Sequence, residues 1–375
     1  MSWKIPLFKI YTDEEDIRKV TEIISSGMNW ATGSNIDLFE DKIAGYVGTK
    51  YAVTFNSGTS ALHAGLASHQ IPKGSEVIVP SFTFIATVNS PKFVGATPVF
   101  ADIEEKTYGL SPQDVQDKIT KKTSAIMPVH VGGCPCQIKE LQEIAEDKNL
   151  LLIEDAAESL GARIGTKKVG TFGNSAMFSF CAPKVITTGE GGVIVTDSRD
   201  VFERLKLFRS HGRADTKDYF STNEYLDYIS LGYNFRMSNI VAALGIAQMD
   251  KIDKIIEMRR RNADYLSGKL KKVTEIKTPL APKNYYLLYQ MYTIEAKHRD
   301  ELMNFLGDAG IMAKVYFHPV HLSHYYKEVL KVKPHIPVTE HVASKVLTLP
   351  MYPGLTTEEM DYIAEKISEF YERYH

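Results

Sequence analysis

The 375-residue sequence has only three cysteines, too few for the disulfide framework of a small secreted protein. Two of them form a C-x-C pair, Cys134 and Cys136, but no second pair of ligands accompanies it, so we expect no metal site. No apolar run approaches the length that spans a bilayer, and the N-terminus lacks the apolar core of a signal peptide. These absences predict a cytoplasmic protein with no membrane partner.

Positive charge is not in excess: 44 lysines and arginines stand against 46 aspartates and glutamates, which gives a formal net charge of −2. The sequence therefore lacks the basic surface that nucleic acid requires, and we expect no nucleic-acid partner. It also lacks a G-x-G-x-x-G turn after its first predicted strand, which disfavours a nicotinamide-dependent dehydrogenase.

Short apolar runs alternate with amphipathic segments over the first 250 residues, a pattern typical of α/β folds. The length allows two unequal domains, and we place the boundary near residue 250. Beyond it, predicted strands at 289–294 and 314–317 and a helix at 299–306 indicate a smaller α+β domain. The strands predicted before it lie at 51–55, 76–80, 97–102, 124–130, 150–153, 176–180 and 193–197.

Two further segments are predicted from composition. A long helix runs to about residue 270, and we expect its Arg259, Arg260 and Arg261 to be solvated because blocks of like charge usually lie on exposed faces. The polar and aromatic segment from Asp215 to Tyr228 has no clear periodicity, which predicts a mobile or interface loop.

The stretch from 150 to 197 carries the strongest chemical signal. Asp155 follows a buried strand, and ligands of open α/β sheets usually bind at that end of a strand. Lys184 follows another predicted strand among apolar residues, and a desolvated lysine can act as a nucleophile and Schiff-base former. An aspartate paired with such a lysine suggests pyridoxal phosphate, whose protonated ring nitrogen needs a carboxylate. The alternative, in which Lys184 points to solvent and Asp155 caps a helix, stays open on these residues alone.

Two other turns have the chemistry of a phosphate and ring site. Gly58 and Thr59 lie where a predicted strand turns into a helix, and free amides and the helix dipole bind anions there. A plain serine or threonine cap is the alternative. Phe82 and Phe84 open the next helix, where an aromatic ring could stack on a pyridine ring or pack in the core.

Residues 178–184, followed by the glycine turn at 188–192, resemble the lysine motif of the DegT/DnrJ/EryC1/StrS aminotransferases. The segment 232–238 is similar to the family's GYNYRM motif, with Phe235 in place of the usual tyrosine, and the match continues along almost the whole chain. The resemblance implies an α/β fold of the fold-type I pyridoxal phosphate-dependent transferases. It implies a large domain over 1–250, with a mostly parallel mixed sheet between helices, and a smaller α+β domain over 251–375.

The resemblance also implies roles for individual residues. Lys184 holds pyridoxal 5′-phosphate covalently and moves protons, and Asp155 pairs with the ring nitrogen. Phe84 stacks on one ring face and Ala157 packs under the other, whereas Phe82 is expected to pack in the core. The remaining implied contacts are Glu158 with the ring hydroxyl, Gly58, Thr59 and Ser179 with the phosphate, and His321 with the substrate, while Trp30 is either substrate-facing or packed.

Asn234 is implied to reach the phosphate of a neighbouring subunit, which predicts a homodimer with shared active sites. The implied reaction is ping-pong transamination from L-glutamate to the keto group of a nucleotide-linked sugar. Glu158 and the lead-in 187–189 resemble the perosamine-synthase branch, which favours a 4-keto-6-deoxy sugar over a 3-keto sugar. Gln290 and Glu295 stand where many relatives have histidine and arginine, which leaves the detailed substrate open.

Two alternatives to transamination remain. A sugar dehydratase of the same fold carries histidine in place of the lysine, so the intact Lys184 disfavours it. A noncatalytic regulator that keeps the fold would not need the complete set of Asp155, Lys184, Ser179 and Asn234.

Overall fold

The computed structural model describes residues 3–214 and 222–373. The helices of this part of the chain are α1 (Glu14–Ser25), α2 (Ser34–Val47), α3 (Gly58–Ser68), α4 (Ile85–Phe93), α5 (Pro112–Lys118), α6 (Ile138–Asp147), α7 (Arg199–Arg209), α8 (Asn239–Met249), α9 (Ile252–Leu270), α10 (Arg299–Asp308), α11 (Pro337–Lys345) and α12 (Thr357–Glu372). Its strands are β1 (Tyr51–Phe55), β2 (Glu76–Pro80), β3 (Thr97–Ala101), β4 (Thr123–Ile126), β5 (Leu151–Asp155), β6 (Arg163–Ile164), β7 (Lys167–Lys168), β8 (Ser175–Ser179), β9 (Gly192–Thr196), β10 (Ile276–Lys277), β11 (Tyr285–Tyr286), β12 (Tyr292–Ala296) and β13 (Val346–Leu349). Among these helices, none has the length and apolar character needed to cross a membrane.

A seven-stranded sheet runs through the described chain before α8, in the order β1-β9-β8-β5-β4-β2-β3. Strand β9 is antiparallel to both of its neighbours, and the other pairs are parallel. The carboxyl ends of β5 and β8 therefore lie side by side near the middle of the sheet. This arrangement confirms the predicted mostly parallel mixed sheet.

Both faces of the sheet are covered by helices. Side chains of successive strand residues point to opposite faces, so Val53 packs with α3 and α7 while its neighbour Ala52 packs with α2 and α8. Leu152 in the same way faces α5 and α6, whereas Ile153 faces the opposite layer. Strands buried on both faces must be apolar at nearly every position, and for this reason their sequences are continuous runs of apolar residues.

A second core lies around the three-stranded sheet β10-β12-β13 and the helices α10 and α12. Helix α9 connects the two cores: Ile252 and Ile255 pack in the first one, and Leu266 and Leu270 pack in the second. The predicted boundary near residue 250 falls at the start of this helix. The N-terminal segment also joins the second core, because Ile5 N–H donates to the Gly310 carbonyl at 3.1 Å.

Two local predictions are wrong. Arg259 is only 2% exposed, and its guanidinium donates to the carbonyls of Tyr289, Gln290 and Met351 at 3.0–3.4 Å. The segment 314–317 makes a single bridge, from Lys314 to Thr348, and is not a strand. Of the segment predicted as a mobile or interface loop, residues 215–221 lie outside the described residues.

Candidate active site

A cavity of about 440 Å³ opens at the carboxyl ends of β5 and β8, within the usual size range of small-molecule sites. Its wall combines the sheet, the start of α3 and α4, and segments of the second core. The cavity brings together most of the predicted site residues, namely Gly58, Thr59, Phe84, Asp155, Ala157, Glu158, Ser179 and Lys184.

Asp155 is the last residue of β5 and is 3% exposed on the cavity wall. Its Oδ2 accepts a hydrogen bond from Thr87 Oγ1 at 2.7 Å, and its Oδ1 accepts one from Ala157 N–H at 3.2 Å. Burial raises the pKa of the Asp155 carboxyl, and the Thr87 hydroxyl bond opposes that rise. Among the described residues these are its two donors, and a buried carboxylate so partnered gains from a cation placed in the cavity, such as a protonated ring nitrogen.

Lys184 points into the same cavity and is paired with a carboxylate that lies 26 residues earlier in the chain. Its Nζ lies 3.2 Å from Glu158 Oε1, and Glu158 Oε2 accepts a hydrogen bond from Gly132 N–H at 2.8 Å. The sequence shows no acidic neighbour of Lys184, so this ion pair was missed. The pair holds the amine on the cavity side of β8 and next to the strand that carries Asp155.

The start of α3 forms an anion-binding turn beside the end of β8. Ser57 Oγ accepts from Ser60 N–H at 3.1 Å, whereas the amides of Gly58 and Thr59 have no partner within the described part of the chain. A Cβ on Gly58 would lie 3.2 Å from Ser179 Oγ, so a larger residue would push the two segments apart by a few tenths of an ångström. Free amides, the helix dipole and the Ser179 hydroxyl together suit a phosphate group.

The two phenylalanines differ in burial. Phe82 is fully buried among residues of the core, near Tyr108 and Phe317. Phe84 is 60% exposed and lies on the cavity wall at the start of α4, where an exposed ring can accept a planar ligand.

Three predicted residues do not line this cavity. His321 is 4% exposed, and its ring contacts Ser81 Oγ at 2.8 Å through Nδ1 and Glu340 Oε1 at 3.2 Å through Nε2. Both ring nitrogens are therefore used in a latch between the end of β2 and α11, and the expected substrate contact stays a prediction. Trp30 and Asn234 are exposed elsewhere on the described chain.

Sequence reasoning missed several residues of the cavity wall. Thr87 lies one helical turn after Phe84, and this spacing was the available signal for a second functional side chain on that face. Gln290 was singled out in the sequence as a departure from the family, but its contact with the lysine loop was not foreseen. Gln290 and Tyr316 come from segments more than 100 residues after Lys184 in the chain, and no local pattern links them to it.

The geometry fits pyridoxal 5′-phosphate at each of its functional groups. A buried carboxylate is present for the ring nitrogen, an amine for the aldehyde, an exposed ring for the pyridine face and an amide turn for the phosphate. When bound, this cofactor supplies an electron sink that stabilises negative charge at a carbon bonded to nitrogen.

Comparisons with known proteins agree with this interpretation. The sequence profile described as the DegT/DnrJ/EryC1/StrS aminotransferase family matches residues 11–368. A GDP-perosamine synthase of Escherichia coli O157:H7 is 38% identical over 368 residues, which cover 98% of each chain. A UDP-N-acetyl-3-dehydro-alpha-D-glucosamine 3-aminotransferase of Acidithiobacillus ferrooxidans is 34% identical over 330 residues, or 88% of this chain and 86% of that one.

Solved structures give the same result. Helicobacter pylori PseC, an aminotransferase involved in the biosynthesis of pseudoaminic acid, superposes with a TM-score of 0.91 at 29% identity, covering 98% of this chain and 99% of that one. S. venezuelae DesV, solved in complex with a ketimine intermediate, gives a TM-score of 0.90 at 29% identity and 99% coverage of both chains. The similarity to GDP-perosamine synthases supports the resemblance to the perosamine-synthase branch. The chain belongs to the DegT/DnrJ/EryC1/StrS aminotransferase family, and its cofactor is pyridoxal 5′-phosphate.

Proposed function

We propose that this sugar aminotransferase moves an amino group from L-glutamate to the C4 carbonyl of a nucleotide-linked 4-keto-6-deoxy sugar. The reaction type is supported by one observation: Lys184, Glu158 and Asp155 line the same cavity. The choice of sugar is supported by similarity to the GDP-perosamine synthase, which makes a guanosine diphosphate sugar the first acceptor to test. A 3-keto sugar is the second candidate, supported by the similar 3-aminotransferase.

Each residue of the cavity has a distinct task in this reaction. Asp155 keeps a proton on the cofactor ring nitrogen because a buried carboxylate is stabilised by that positive charge. Lys184 Nζ, once free, carries a proton between the amino donor's α-carbon and the cofactor. Glu158 holds Nζ near these atoms through the 3.2 Å contact, and Gly132 N–H fixes Glu158 in turn. The same groups act in reverse on the keto sugar, in ping-pong order.

The charge of the cavity wall supports a homodimer. Within the described residues, Lys184 is the only lysine or arginine on that wall, although glutamate and a nucleotide sugar are both anionic. Asn234 lies on an exposed face with Ile229, Leu231 and Tyr233, which are 62%, 82% and 38% exposed. We infer that a second copy covers this face, and that Asn234 reaches the neighbouring subunit's phosphate site.

The reaction is tested by spectroscopy and product analysis. Purified protein with pyridoxal phosphate should show a visible band that Lys184→Ala lacks and that glutamate removes. Glutamate carrying isotope-labelled nitrogen, together with a GDP-linked 4-keto-6-deoxy sugar, should then give a labelled amino sugar by mass spectrometry. A matched reaction with a UDP-linked 3-keto sugar separates the two acceptors. Loss of water from the sugar without nitrogen transfer would favour the dehydratase, and no turnover with either acceptor would refute the proposal.

The shared site is tested by mixing two inactive variants. Lys184→Ala and Asn234→Ala subunits, coexpressed, form mixed dimers in which one of the two sites has both residues intact. Random pairing should restore roughly a quarter of wild-type activity. Mixtures that remain inactive, although mixed dimers are isolated, would place Asn234 in its own subunit's site. An active Asn234→Ala homodimer would place it outside any site.

A further inference from the structure

Gln290 is a buried glutamine of the cavity wall whose side chain contacts the lysine loop. It precedes β12, is 6% exposed and belongs to the part of the chain that follows α9. Its Nε2 donates a hydrogen bond to the carbonyl of Pro183, the residue immediately before Lys184. The second core thus contacts the peptide that carries the catalytic amine.

The orientation of this amide is determined by that one contact. Its Oε1 is buried and has no hydrogen-bond partner within the described residues. Exchanging the two amide ends would place Oε1 against the Pro183 carbonyl, so that two acceptors would face each other. Leaving a buried carbonyl unpaired lowers stability, so a glutamine needed only for packing is poorly suited to this position.

The backbone of Gln290 is fixed on two sides. Arg259 donates to its carbonyl at 3.4 Å from α9. A Cβ on Gly133 would lie 3.1 Å from the Gln290 nitrogen, and this glycine has a φ of +90°, so the two segments are in close contact. The preceding residue, Gly132, donates to Glu158. One glycine turn therefore supports both Gln290 and the carboxylate paired with Lys184.

We propose that Gln290 is a positioning residue, which fixes the Pro183 peptide and thereby sets the place of Lys184 Nζ relative to Glu158 and Asp155. This inference rests on the role of Lys184 in the proposed function. Two contacts converge on the lysine: Glu158 holds its amine, and Gln290 holds the peptide before it. An error in the position of a reacting group can lower a rate by orders of magnitude, so fixing the peptide has a direct kinetic effect.

Three variants separate positioning from packing. Gln290→Met keeps the volume and removes the donor, and Gln290→Glu replaces the donor with oxygens that repel the Pro183 carbonyl. Asn262→Leu is the matched control, because Asn262 is a buried amide of α9 that donates to the carbonyls of Tyr352 and Pro353 at 3.0 and 3.2 Å and not to the peptide before Lys184. Each variant is compared with wild type for melting temperature without cofactor, and for the rate at which added pyridoxal phosphate forms the visible band.

We expect Gln290→Met to slow band formation roughly tenfold or more, and Gln290→Glu to slow it further. The pH midpoint of the band should also move in both variants, because the amine stands in a different place relative to Glu158. Asn262→Leu should lower the melting temperature while leaving the rate and the midpoint near the wild-type values. Wild-type kinetics and midpoint in Gln290→Met would overturn the proposal and leave Gln290 a packing residue. A wild-type protein that forms the band but does not transaminate would refute the proposed reaction alone, since band formation needs no amino donor or acceptor.

Discussion

Replacing Asp155 with asparagine should stabilise the cofactor-free protein at neutral pH while nearly abolishing its activity. The carboxylate is buried with two donors, Thr87 Oγ1 and Ala157 N–H. Asparagine can keep both contacts: its Oδ1 accepts from Ala157, and its Nδ2 donates to Thr87. The Thr87 hydroxyl can then donate to Thr83 Oγ1, which lies 2.8 Å away. The substitution therefore removes a charge while the Thr87 hydroxyl and the Ala157 N–H both keep a partner.

The sign of the stability change follows from the raised pKa of Asp155. The folded chain holds this proton to a higher pH than the unfolded chain does. Stability is therefore lost as the pH rises from the ordinary aspartate value of 3.8 through the raised value. Asparagine removes this loss. The free energy of unfolding at neutral pH therefore rises by about 1.4 kcal/mol for each unit by which the pKa of Asp155 in the folded chain exceeds its ordinary value. Turnover should fall on the order of 10²–10³-fold or more, because the ring nitrogen loses its preorganised counter-charge.

The assay is chemical denaturation of cofactor-free protein across pH, with Glu154→Gln as the matched control. Glu154 is also fully buried but accepts from the backbone amides of Gly170, Phe172 and Gly173 at 2.8–2.9 Å. A glutamine cannot accept all three, so this control should lose about 2 kcal/mol or more. Asp155→Asn should match wild type below pH 3.8 and exceed it at pH 7. An Asp155→Asn protein less stable than wild type at pH 7 would refute the argument and make Asp155 a structural carboxylate.

Three further predictions follow from single contacts. Gly58→Ala should weaken cofactor binding roughly tenfold or more, as measured by titration of the visible band, because its Cβ would lie 3.2 Å from Ser179; unchanged affinity would contradict this. Arg259→Met should lower the free energy of unfolding, measured by urea denaturation, by at least about 3 kcal/mol because three buried carbonyls lose their donor. Arg261→Met, on the exposed side of the helix, should have little effect. Burial lowers the pKa of His321, so the free energy of unfolding should decrease as the pH falls below about 6.5. His321→Ala should remove this pH dependence in denaturation experiments without changing cofactor affinity.

The chemistry of the site was predictable where it lies next to a buried strand. Asp155 and Lys184 follow runs that must be apolar on both faces, so a polar residue at their ends is conspicuous. The phosphate turn was predictable for a similar reason, since glycine and hydroxyl residues between a strand and a helix either cap the helix or bind an anion. Local sequence carries this information because one strand and one turn decide where such residues point.

Features that depend on distant packing were not predictable in this way. The buried positions of α9 continue at helical spacing from Ile255 through Arg259 to Leu266, so Arg259 stands on the core-facing side where the helix passes into the second core. Its partners are carbonyls of distant segments, such as that of Met351, which the local sequence does not show. His321 and its partner Ser81 are 240 residues apart in the chain. Loop length adds little to the free energy of forming such contacts, so sequence separation alone does not show which of them form.

The supply of hydrogen bonds distinguishes the functional carboxylates of this protein from the structural one. Glu154, Asp155 and Glu158 lie within five residues of one another, and all three are buried. Three backbone amides and the His130 ring surround Glu154, whereas Glu158 has one amide and the Lys184 amine, and Asp155 has one amide and a hydroxyl. An acid that the fold fully satisfies contributes to stability but has no remaining capacity for a ligand. The two that the fold leaves partly unsatisfied face the cavity, where a bound cofactor can provide the missing partners.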